Sequence, residues 1–159
     1  MANIPYPQWY PSSLNCELFH APSIECELGD LTFYDSASGF VKPAGSFTWT
    51  TDLLTSQKAF VLAFAGLSDS RQLAGDPVAH PARLLFDIIA EFPCVSATFH
   101  PGDLVGVNGA PSLLEDQNLI KVSDPLAAIG KVLRRYAAAT NRIKVRLVAA
   151  MFVPVGRLP

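Results

Sequence analysis

Hydrophobic and polar positions alternate most regularly near the C-terminus, in RIKVRLV: Arg142, Lys144 and Arg146 share one face, Ile143, Val145 and Leu147 the other. A two-residue period separates those sets only on a strand. Upstream, SIECEL (23–28) alternates, LTFY (31–34) and FVK (40–42) flank the turn cluster Asp35 to Gly39, and SFTWTT (46–51) is rich in β-branched and aromatic residues, so these predict short strands and a hairpin. DLLTSQKAF (52–60) predicts a turn or two of helix capped by Asp52, followed by FVLAFAG (60–66) as a buried strand. Further strands are predicted at LLFDIIA, CVSATF, DLVGV and NLIKV. The polar, proline-punctuated 67–85 reads as a loop.

One stretch supports two readings. SDPLAAIGKVLRRYAAAT (123–140) starts like a helix, with Ser123 or Asp124 as cap and Pro125 at the first turn, yet Gly130 would cost about 1 kcal/mol inside one. An internal repeat decides for a strand from about Ala128 to Tyr136. Gly29-Asp30-Leu31 and Gly102-Asp103-Leu104 each precede a hairpin and then an apolar strand containing Ala and Gly. Glycine permits a positive φ, aspartate can accept a hydrogen bond from a backbone N–H about two residues on, and leucine begins the inward face. Gly29, Asp30, Gly102, Asp103 and Gly130 are therefore expected at structural turns.

Two such units, about 23–67 and 92–150, are each too small to bury an apolar face alone. They are expected to close on one another as a single domain, 23–159. The fold class is mainly β: a small closed barrel or sandwich with at most one or two short helices. Residues 1–22 carry Pro5, Pro7, Pro11 and Pro22 among Tyr6, Trp9 and Tyr10 and form an extended arm, since each proline removes a backbone donor. Those aromatic rings need a covering surface, on the same chain or on a neighbour.

At 159 residues, 50% hydrophobic and 16% charged, the chain can bury a substantial core. The net charge of −2 gives no broad positive field for direct nucleic-acid binding. Charge is nonetheless uneven: no Lys or Arg precedes Lys42, whereas Lys131, Arg134, Arg135, Arg142, Lys144 and Arg146 crowd the final third, a polarity that suits contact between copies or with a charged partner. No basic, apolar leader opens the chain and no run suits a membrane span, so a soluble protein made in a cytoplasm is expected.

Candidate chemistry is sparse. Three cysteines, Cys16, Cys26 and Cys94, make no disulfide framework. Cys16, His20 and Cys26, completed by His80, His100 or Cys94, could ligate zinc, but C-x3-H-x5-C lacks the paired C-x-x-C turn. Cys94 with His80 or His100 could serve as nucleophile and base in a small ligand- or metal-binding barrel enzyme, without an activating turn around FPCVSATFH. Phosphate-cradling and nucleophile-elbow motifs are absent from the sequence. No cofactor is expected.

GDLTFYDSASGFVKPA, FVLAFAGLS, FPCVSATFHPGDLVGV and LAAIGKVLRRYAAATNRIKVRLV together resemble the small capsid decoration, or cement, proteins of tailed bacteriophages, of β-tadpole type. The likeness spans roughly Ser23 to Ala149. It implies a compact β-barrel with an extended N-terminal arm, assembled as homotrimers on the capsid exterior, where they bridge capsomers of the major capsid protein. It also implies no enzymatic activity, no direct nucleic acid and no membrane. Tyr6, Trp9, Tyr10, Arg134 and Arg135 are the expected contacts with capsid or subunit. A fibre-base or connector protein of the same fold is the alternative virion role.

Overall fold

A computed structural model describes residues 17–149. Its strands are β1 (Leu31–Asp35), β2 (Phe40–Pro43), β3 (Phe64–Ser68), β4 (Leu84–Leu85), β5 (Asp87–Phe99), β6 (Leu104–Ala110), β7 (Leu113–Val122), β8 (Gly130–Val132) and β9 (Tyr136–Val148), with one helix, α1 (Leu53–Ala63), between β2 and β3. Single 3₁₀ turns lie at Ala44–Ser46 and Pro125–Ala127. The protein is mainly β. Strands β5-β7-β6-β8-β9 close into a barrel, and β2-β1-β3-β4 form a four-stranded sheet.

The sheet and the barrel are two versions of one unit. β1 lies between β2 and β3 in the first, just as β6 lies between β7 and β8 in the second. Gly29 N–H donates to the Ser68 carbonyl (2.8 Å) and Ser68 N–H to that of Asp30 (2.9 Å). The same pair of bonds joins Gly102 to Val132 (2.8 Å) and Val132 to Asp103 (2.9 Å). β5 reaches β7 by a parallel bridge, Cys94↔Leu119, and β9 by an antiparallel ladder that includes Pro93↔Arg142. In the first unit the segment around His20 takes both places, through a parallel bridge His20↔Val41 and an antiparallel bridge Phe19↔Pro81. Cys26↔Gln72 matches Phe99↔Tyr136 in turn. The first unit is thus drawn together at this place by isolated bridges, the barrel by the single β5–β7 bridge and the long β5–β9 ladder.

One hydrophobic cluster runs through both units, from Leu31, Phe60 and Phe64 to Phe99, Val107, Ile143 and Leu147. In the first unit Phe33, Phe47 and Phe60 pack edge to face, with centroids 5.0 Å and 5.4 Å apart along the chain of contacts, the geometry favoured by aromatic quadrupoles. Polar bonds tie the units across this core. Gln57 Nε2 donates to the Val107 carbonyl (2.7 Å), and Gly45 N–H to Asp116 Oδ1 (2.6 Å). Lys58 pairs with Asp124 at 2.6 Å.

Several expectations are corrected. Strands of both sequence halves do not share one barrel: the closed ring is drawn wholly from Asp87 onward, and the first half builds the smaller sheet beside it. The helix capped by Asp52, whose side chain accepts from Thr55 N–H, runs three turns and absorbs Phe60 to Ala63, leaving only Phe64–Ser68 as strand. A uniformly apolar run has no period with which to choose between the two states. SFTWTT contains no strand, and SIECEL contributes only the Cys26 bridge. The segment 128–136 is not one strand: Gly130–Val132 pairs, the chain breaks at 133–135, and β9 begins at Tyr136. The hairpin after β6 turns at Pro111 and Ser112: Ala110 pairs with Leu113 and Ser112 has φ 71°, as a tight turn with proline first permits. Finally, of the arm expected over 1–22 residues 17–22 are described, and there Phe19 and His20 are bridged to the body.

Candidate functional site

The two Gly-Asp phrases form matched corners. Gly29 has φ 87° and Gly102 φ 90°, a region in which a Cβ is strained. Each aspartate reaches back three residues, where the sequence reading has it reach forward two. Asp30 Oδ2 accepts from Glu27 N–H (2.7 Å), and Asp103 Oδ2 from His100 N–H (2.8 Å). Asp103 also pairs with Lys121, and Asp30 accepts from Gln117 Nε2 at 2.7 Å. Gly130 is not at a turn but inside β8, where a Cβ would overlap the Arg146 carbonyl oxygen of β9. There the missing side chain allows close approach of two strands.

The residues capable of metal or nucleophile chemistry are dispersed. Cys94 lies inside the barrel with its thiol raised by burial, and His100 is exposed at the corner after β5. They lie six residues apart along the chain and occupy different surroundings, one buried and one exposed. His80 is engaged with Asp76, Nε2 to Oδ2 2.8 Å. His20 is fully buried, its Nε2 2.8 Å from Ser70 Oγ. Burial lowers the His20 pKa and the charge of His80 lowers it further, partly offset by Asp30. Burial pushes the Cys26 thiol up to about 12. Among the described residues no group of three or more His, Cys, Asp and Glu is placed to hold a metal. Cys16, Tyr6, Trp9 and Tyr10 lie outside the described residues.

Two charged regions are assembled instead. β9 carries Arg142, Lys144 and Arg146 outward while Ile143, Val145 and Leu147 fill the barrel, as the alternation requires. Lys131 of β8 stands opposite Arg146, and Glu91 of β5 opposite Lys144. Arg146 forks onto Asp87 at 2.8 and 2.7 Å. Arg134 and Arg135 are exposed in the link between β8 and β9, not on the strand expected for them, and Arg134 lies 5.8 Å from the centre of the Tyr136 ring. Where β7 packs against the first unit, a cleft of about 530 Å³ is lined by Glu25, Glu27, Asp30 and Gly45 of that unit and by Asp116 and Gln117 of β7. Burial raises the Asp116 pKa and Asp30 raises it further, against the lowering effect of the Gly45 N–H.

The cleft was not legible in the sequence. Asp116 sits in LLEDQNLIKV with no periodic signal, and it meets Asp30 only because β7 packs against the first unit. The charge asymmetry of the chain was the one available clue. Comparison with protein-family models, curated proteins and solved structures finds no match to the chain. The architecture defines the class: a mainly-β protein with a closed five-stranded barrel and, among the described residues, one α-helix. No helix among the described residues is long and apolar enough to cross a membrane.

Proposed function

We propose that this protein is a structural component of a tailed-phage virion, seated on the capsid exterior as a homotrimer that bridges capsomers of the major capsid protein. Its work is adhesion, with no cofactor. The observation that carries this reading is the outward basic row on β9, beside which Ile89 and Leu133 remain 56% and 42% exposed. A basic row flanked on either side by exposed apolar residues is a surface suited to contact. Repetition over a symmetric shell converts weak single contacts into firm attachment.

Incubation of the purified protein with expanded heads, followed by sedimentation and thermal rupture, tests the proposal. The protein is expected to travel with the heads and to raise their rupture temperature. Absence from the head fraction across the concentration range contradicts it. A small-molecule turnover abolished by Cys94→Ala or His100→Ala would favour the enzyme alternative, and a few copies per particle would favour a connector or fibre base.

A further inference from the structure

We propose that the outer face of β8, β9 and β5 docks a second copy of this chain, meeting head to tail the acidic segment of the first unit that carries Glu17, Glu25 and Glu27. The inference deepens the proposed homotrimer by naming its interface, and it stands on charge placement in the folded chain.

Six of the chain's 12 lysines and arginines, Lys131, Arg134, Arg135, Arg142, Lys144 and Arg146, belong to this one region, against two carboxylates, Asp87 and Glu91, in register with it. Arg146 is held by Asp87. Lys131 and Arg146 nevertheless stand directly opposite each other on adjacent strands, a like-charge pairing that destabilises a sheet. An anionic partner laid across the strands removes that cost. Ile89 shares the outward side of the Arg146 row and Leu133 follows the buried Val132, so apolar surface lies among the cations.

The complementary surface is acidic in its own segment. Glu17, Glu25 and Glu27 are exposed, Phe19 and Leu28 are 37% and 50% exposed among them, and the segment itself holds no Lys or Arg, although exposed Arg71 adjoins the Cys26↔Gln72 bridge and Arg83, paired with Asp69, adjoins the Ala82–Leu18 bond. This segment occupies in the first unit the place that β5 occupies in the second. The two faces are on different units of one molecule. A contact between them is therefore heterologous, and copies joined that way close into a ring when the rotation permits. Charges so arranged set orientation and association rate and weaken with salt.

Analytical ultracentrifugation of the full chain, over concentration at low and high salt, reads the contact directly. Self-association is expected at low salt and is expected to weaken as salt rises. Arg142→Glu with Lys144→Glu is expected to weaken it roughly 100-fold, and Glu25→Lys with Glu27→Lys to do the same. Mixing the two reversed variants is expected to restore association between them alone. All four positions are exposed, and a cooperative thermal transition checks that each variant folds. A monomer under every condition overturns the proposal, as does wild-type association by the reversed variants or failure of the mixture to associate. Binding of DNA without self-association overturns it too. Head binding is measured separately, so loss of this interface and loss of the capsid role are distinguishable.

Discussion

Replacing Gly66 with alanine tests the structural equivalence of the two units. Gly66 has φ 124°, and a Cβ there would lie 2.5 Å from the Leu85 carbonyl oxygen of β4. Ordinary C···O contact begins at about 3.3 Å, so the strands must part by roughly 0.8 Å. That lengthens the short β3–β4 ladder, Leu67↔Leu85 and Ser68↔Leu84, past hydrogen-bonding range. Two lost bonds cost about 2 kcal/mol, and a non-glycine residue held at that φ adds about 1–3 kcal/mol. The expected loss is thus about 3–5 kcal/mol, or roughly 6–20 °C in a chain of this size. Gly130 is its counterpart: a Cβ would overlap the Arg146 carbonyl oxygen and lie 2.7 Å from Leu147 Cδ2. Without the φ penalty, Gly130→Ala is expected to cost about 2–3 kcal/mol. Gly75, φ 76° with nothing within 4 Å of a Cβ, isolates the backbone cost at about 1–2 kcal/mol. Urea unfolding of the three variants supplies the numbers. A Gly66→Ala loss no larger than that of Gly75→Ala, at unchanged slope, refutes the close-approach argument.

Three further outcomes are expected. Asp30→Ala, which strips a 5% exposed carboxylate from Glu27 N–H and Gln117, should cost about 2–3 kcal/mol in urea, against about 1 kcal/mol for the more exposed Asp103→Ala; equal losses contradict the burial difference. His20 has a lowered folded pKa against an ordinary 6.5, so its contribution is complete above pH 6.5 and lost as pH falls through the folded value; thermal midpoints should drop between pH 7.5 and 5.5, and His20→Asn should flatten that drop. Cys26, with its thiol pushed up to about 12, and the buried Cys94 should resist a thiol reagent at pH 8 in the native protein and react once it is unfolded; native labelling of either shows the interior to be open.

Local chemistry was readable where a few adjacent residues decide it. The β9 alternation, the Asp52 cap and the positive φ at both Gly-Asp corners needed no distant partner. The repeat was visible because two strands in each unit start from the same corner. What escaped depended on the other unit. Phe60 joins a helix because Phe33 and Phe47 give its ring a cover, and Gly130 reads as a turn until Arg146 lies against it. The partners of the segment at Phe19 and His20, Val41 and Pro81, are too far along the chain for a local pattern to reveal. The outward basic row could be read from β9, whereas the acidic cleft required the packing of β7 on the first unit.

Imaging particles with and without this protein measures the central claim directly, by the place and number of copies. Hundreds of copies in trimeric densities across capsomer junctions on the outer surface, absent when the protein is withheld, are expected. A few copies at a single vertex, or none on the shell, contradict it.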